Sequence, residues 1–87
     1  MELKIDDNFK ISSDSMQYIL QQRKIVAEGD RKGKEYYTNL GYYGKIYHAL
    51  QDYKELQIRN SNVTTVEELM ELIKNLNIKI ETLLKSN

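Results

Sequence analysis

Eighty-seven residues supply material for one small hydrophobic core, because a chain of this length buries only about 60% of its unfolded surface. Thirteen basic against thirteen acidic side chains leave a formal net charge of zero, which announces neither a strongly basic nucleic-acid binder nor an acidic mimic of one. No cysteine and a single histidine exclude disulfide scaffolds, thiolate nucleophiles and cysteine zinc sites, and leave any catalytic triad or multi-histidine centre depending on His48 alone.

Near the amino terminus Leu3 and Ile5 alternate with Glu2 and Lys4, and Phe9 and Ile11 alternate with Lys10 and Ser12. Asp6-Asp7-Asn8 lies between them as turn chemistry, so the pattern predicts a hairpin. A polar break, Ser12-Ser13-Asp14-Ser15, precedes a second extended stretch from Met16 to Val26. The charged loop Glu28 to Lys34, with Gly29 and Gly33, joins it to a further strand from Glu35 to Tyr43.

From Gly44, the predicted N-cap, the period changes to three and four. Ile46, Ala49, Leu50, Tyr53 and Leu56 fall on one side of a helix, with His48, Asp52, Glu55 and Arg59 on the other. Asn60-Ser61-Asn62 ends that segment. Thr65 and Glu68 then form a capping box that opens a second helix. Val66, Leu69, Ile73, Leu76, Ile80 and Leu83 make a heptad-like seam along it, widened by Met70, Leu72, Ile78 and Leu84.

The expected architecture is a single α+β domain over residues 1–87: a small antiparallel sheet of three or four strands followed by two helices packed on one face. Leu3, Ile5, Phe9, Ile11, Ile46, Ala49, Leu50, Tyr53, Leu56, Leu69, Ile73, Leu76 and Ile80 are its expected core. The first residues contain no apolar leader core, and no apolar run approaches the ~18 residues of a membrane span, so a cytoplasmic protein without membrane contact is expected.

Six of the seven tyrosines fall between Tyr36 and Tyr53. Strand alternation cannot bury both Tyr36 and Tyr37, or both Tyr42 and Tyr43, unless both sheet faces are covered, so an exposed aromatic patch is expected. Arg23, Lys24, Arg31, Lys32 and Lys34 cluster on the same hairpin. Taken alone the basic residues read as a soluble hairpin tip that lysines protect from edge pairing; with the adjacent tyrosines they make the combination that a protein groove or nucleic acid selects. Those nine residues are the candidate partner-binding set. His48 and Asp52, four apart on a polar helix stripe, read as a solvated face rather than a metal or catalytic pair. The Gly29 and Gly33 spacing makes no phosphate loop. No catalytic residue, metal or cofactor is expected. The terminal seam is expected to pack mainly within its own chain as a monomer, with a homodimer through that helix as the alternative.

The run Gly41-Tyr42-Tyr43 leading to Ala49-Leu50, then Arg59-Asn60-Ser61 and Thr65-Val66-Glu67-Glu68-Leu69, resembles small phage and prophage proteins of low-GC Gram-positive bacteria. That resemblance implies an accessory protein that inhibits a host factor by binding it, anti-CRISPR and other anti-defence proteins being of this type, with a host protein or nucleoprotein complex as partner. Residues 16–58 also resemble the arm-type DNA-binding domains of phage integrases, which implies a small DNA-binding accessory protein as the alternative.

Overall fold

A computed structural model of the chain describes residues 1–86, which form two compact units, one running from Met1 to Ala49 and the other from Leu50 onward. In chain order come β1 (Glu2–Lys4), β2 (Phe9–Ser13), β3 (Tyr18–Ile25), β4 (Glu35–Tyr43), α1 (Ile46–Arg59) and α2 (Val66–Ser86). The four strands form one antiparallel sheet in the order β1-β2-β3-β4, so the architecture is α+β, an antiparallel sheet followed by two helices, as the sequence predicts.

The two tight connections in the sheet use the same device. Asp6 Oδ1 accepts from the N–H groups of Asn8 (2.7 Å) and Phe9 (2.9 Å), and Asp14 Oδ1 accepts from those of Met16 (2.8 Å) and Gln17 (2.9 Å). In each case the carboxylate takes the place of a backbone acceptor and closes the turn. This capture of Met16 and Gln17 corrects two expected boundaries: β3 begins at Tyr18, and Ser12 and Ser13, read as a break, extend β2. The β3–β4 connection is wider. Val26 N–H donates to Lys34 O and Gly33 N–H returns to Val26 O, both at 3.0 Å. Gly29 and Gly33 take φ of 91° and 88°, the left-handed region where a Cβ would be strained.

Leu3, Ile11, Leu20 and Gly41 are cross-strand partners in one row across all four strands. The three apolar side chains of that row are buried, and so are Ile5 and Phe9. At the end of the row a Cβ on Gly41 would run into the Tyr43 phenol, so the glycine makes room for a ring that covers it. Leu20 is a core residue absent from the sequence expectation, because its neighbour Ile19 is equally apolar and period two alone does not say which faces inward.

In the second unit Leu50, Tyr53 and Leu76 are buried. Lys79 Nζ donates to the Tyr53 hydroxyl (3.0 Å) and Lys54 Nζ to Asn77 Oδ1 (3.1 Å), pairs that run in opposite senses along the chain and define an antiparallel helix pair. The Ser61 hydroxyl and N–H both donate to Ile58 O at the end of α1, satisfying a carbonyl the helix leaves open. Thr65 caps α2 as predicted, its Oγ1 accepting from Glu68 N–H at 3.1 Å, while the Glu68 carboxylate accepts from the hydroxyls of Thr64 and Thr65. At the start of α1 the boundary residue is Lys45, whose carbonyl accepts from His48 N–H, rather than Gly44.

Five expected core residues, Ile46, Leu56, Leu69, Ile73 and Ile80, are only half-buried. Ile46, Leu56 and Leu69 lie in the terminal turns of their helices, where fewer neighbours reach, and Ile73 and Ile80 lie beside the row that holds the buried Leu76. No helix among the described residues is long and apolar enough to cross a membrane.

Candidate functional site

The sheet face opposite the buried row is built by period two. Glu2, Lys10, Gln21 and Arg23 alternate with core or inward positions on β1, β2 and β3, and so point outward. On β4 the pattern has an interruption. Leu20 pairs with Gly41 but Gln21 pairs with Asn39, which leaves Leu40 as an extra, bulged residue. The bulge inverts the alternation, so Tyr42 joins Tyr37 and Asn39 on the outer face instead of facing away from them.

Side chains across this face are tied to one another. Lys10 Nζ bonds Glu2 Oε1 at 2.9 Å and lies 4.0 Å from the Tyr37 ring centroid, a cation–π distance. Arg23 donates to Glu35 Oε1 (2.8 Å), to the carbonyl of Asp7 (3.0 Å) and to Asn8 Oδ1 (3.5 Å). Gln21 Nε2 donates to Asn39 Oδ1 (2.8 Å), and Asn39 Nδ2 donates in turn to the Tyr42 hydroxyl oxygen (3.0 Å). A third ion pair, Lys4 to Asp7 at 3.4 Å, borders an open polar depression that Arg23, Glu35 and Tyr37 also line. The hydrogen bond from Lys10, reinforced by its charge, holds the Glu2 carboxyl below the usual carboxylate range.

Lys4, Lys10 and Arg23 are thus matched one for one by Asp7, Glu2 and Glu35, and the face is electrically neutral. Tyr37 and Tyr42 remain 39% and 57% exposed upon it. Aromatic rings held by neighbouring polar groups lose little further freedom when a partner covers them, which is the property of an interface anchor.

The nine candidate residues do not form one surface. Arg23, Tyr37 and Tyr42 share the outer face, whereas Lys24 and Tyr36 are cross-strand partners on the opposite one, both exposed. Tyr43 is half-buried over Gly41. Arg31, Lys32 and Lys34 are exposed in the connection between β3 and β4. Sequence reasoning passed over Lys10, whose place on the outer face follows from Phe9 and Ile11 beside it, and over Gln21 and Asn39, which the sequence-read core does not flank. His48 is exposed, its ring edge-on to Tyr47 at 4.3 Å between centroids, and among the described residues no three carboxylate or imidazole groups are gathered as a metal site.

Comparison with known proteins places the chain among small phage proteins. It is 28% identical over 86 residues to an uncharacterized 10.4 kDa protein encoded in the GpA 5' region of Escherichia phage 186, covering 99% of this chain and 94% of that one. It is 25% identical over 85 residues to the 10.2 kDa counterpart of Escherichia phage P2, covering 98% and 86% respectively. Both relatives come from Escherichia phages, not from phages of Gram-positive bacteria. No solved structure matches the chain. Residues 3–85 match the model of a domain of unknown function, DUF5405, and the chain belongs to that family.

Proposed function

We propose that this phage protein works without chemistry of its own, inside the host cell, by binding a host protein through the outer face of its sheet, with Tyr37 and Tyr42 as the anchors. The observation that carries this reading is the pair of exposed rings on a framework whose six charges are already paired. Charge parity favours a protein partner over duplex DNA, because affinity for a phosphate backbone grows with the number of uncommitted cations that displace counterions. Arg23, the first of the cations proposed for phosphate contact, is engaged by Glu35 and the turn at Asp7 and Asn8. Inhibition of a host defence factor, a CRISPR effector included, is the role that a binder of this kind would serve in a phage.

The test is capture of a host protein from nuclease-treated bacterial lysate by the wild type and by three alanine variants. Tyr37→Ala and Tyr42→Ala should each weaken capture by roughly 30-fold, the consequence of losing an interface anchor worth about 2 kcal/mol. Tyr36→Ala, on the opposite face, should leave it unchanged. Full capture by both outer-face variants overturns the assignment. Submicromolar binding to duplex DNA, weakening steeply with salt and abolished by neutralising Arg31, Lys32 and Lys34, replaces it with the DNA-binding alternative.

A further inference from the structure

Helix α2 carries two parallel seams, of which its own chain covers one. Leu69, Leu76 and Leu83, seven apart, are half-buried, buried and half-buried. One residue further round, Met70, Asn77 and Leu84 repeat the same spacing and are all exposed, Met70 at 65% and Leu84 at 49%. Ile73 and Ile80 lie between the rows, and Val66, 71% exposed, begins the second. Val66, Met70, Ile73, Asn77, Ile80 and Leu84 therefore step by four and three, the seam of a coiled coil, with an asparagine at its centre. A polar residue at a single seam position is the device that fixes register and partner number in such pairs.

Charge along the helix states what the open seam accepts. The first two turns, from Val66 to Leu72, contain Glu67, Glu68 and Glu71 and no cation, whereas the rest of the helix as far as Lys85 contains Lys74, Lys79 and Lys85 against Glu81 alone. A parallel copy would set three carboxylates beside three. An antiparallel copy instead brings Glu71 of each helix near Lys85 of the other and Lys74 near Glu81, so the helix is complementary to itself only in that sense.

We infer that the open seam of α2 binds a second copy of this chain, antiparallel, about a two-fold axis near Asn77. In that register Met70 faces Leu84 of the second copy, and the two Asn77 side chains meet at the axis. Lys74 lies near the opposing Glu81, and Glu71 near the opposing Lys85. A 21-residue helix is about 30 Å long, so the seam runs the length of a small domain.

Sedimentation of the wild type across a wide concentration range should show reversible conversion from monomer to dimer. Met70→Glu should raise the dissociation constant at least about tenfold, since it places an unpaired carboxylate against Leu84 at an apolar interface. Leu84→Lys should do the same. The M70E/L84K double variant distinguishes the sense of pairing: antiparallel packing brings opposite charges together twice and restores the dimer, whereas parallel packing brings like charges together twice. Because both positions are exposed, far-ultraviolet circular dichroism should show undiminished helix in every variant. A wild type that stays monomeric at millimolar concentration overturns the inference, as does a double variant no more dimeric than either single one.

Discussion

The sheet of the first unit and helix α2 of the second both leave large apolar surface in water, but of different kinds. On the sheet Ile25 and Leu40 are exposed beside tyrosines, of which Tyr42 engages Asn39 through its hydroxyl and Tyr37 engages Lys10 through its ring face. On the helix they are Val66, Met70, Ile78 and Leu84, aliphatic side chains that have only area to offer. A wet, anchored ring is compatible with a surface that is free much of the time and binds on encounter. An aliphatic stripe has no such compromise with water and is stabilised only by being covered. The sheet is accordingly suited to a partner that comes and goes, and the helix to a lasting one.

The contrast breaks most directly at buried positions. Ile11 is fully buried at the centre of the sheet row and Leu76 is 7% exposed on the covered seam of α2. Ile11→Ala and Leu76→Ala should each cost about 2 to 5 kcal/mol, a large share of the stability of so small a chain. Met70→Ala, one row round the same helix, should change monomer stability by no more than about 0.5 kcal/mol. Chemical denaturation at low protein concentration checks all three. Equal losses at Leu76 and Met70 would mean that the two seams are not distinct.

A smaller effect is expected at Gly41, where a methyl group would meet the Tyr43 ring. Gly41→Ala should destabilise by about 1 kcal/mol, since the ring can swing away but then leaves the end of the buried row uncovered. Combined with Tyr43→Ala, the same substitution should cost less than the sum of the two single changes, because the clash is gone. Additive losses in thermal unfolding would place the role of Gly41 in the backbone rather than under the ring.

The sequence carried more of the fold than of the surface, for a physical reason. Hydrophobic period and capping chemistry are local, so the four strands, both helices and the Thr65 cap are legible from neighbouring residues alone. Strand ends were displaced at Asp14 because a side-chain oxygen, not a change of period, closes that turn. The candidate surface depends on a bulge, which no alternation rule contains. Strict period two puts Tyr42 on the face opposite Tyr37, and the extra residue Leu40 brings them together. On α2 the heptad spacing places Leu69, Leu76 and Leu83 in the seam and Met70 and Leu84 beside it, but it also puts Val66 there, which lies exposed on the open side.

The smallest expected effect separates two carboxylates of the sheet by pH. Both Glu2 and Asp14 titrate below the usual carboxylate range in the folded chain, Glu2 through the hydrogen bond and charge of Lys10, and Asp14 chiefly through the N–H of Met16. A carboxyl whose folded pKa lies below its unfolded value binds protons more readily when unfolded. It therefore contributes stability above the unfolded pKa, about 4 for these groups, and that contribution is lost as pH falls through the lowered folded value. Glu2→Gln and Asp14→Asn should each make the melting temperature fall less steeply than in the wild type between about pH 4.5 and pH 2. Salt should then tell them apart. At about 1 M salt the Debye length shrinks to roughly 3 Å, so the charge component of the exposed Glu2 to Lys10 pair is weakened, while hydrogen bonds from backbone N–H groups to Asp14 persist. The acid slope attributable to Glu2 should become shallower in high salt by the charge component alone, its larger hydrogen-bond component persisting, and that attributable to Asp14 should remain unchanged. If both flatten together, the turn at Asp14 is held by long-range charge and not by the backbone bonds that close it.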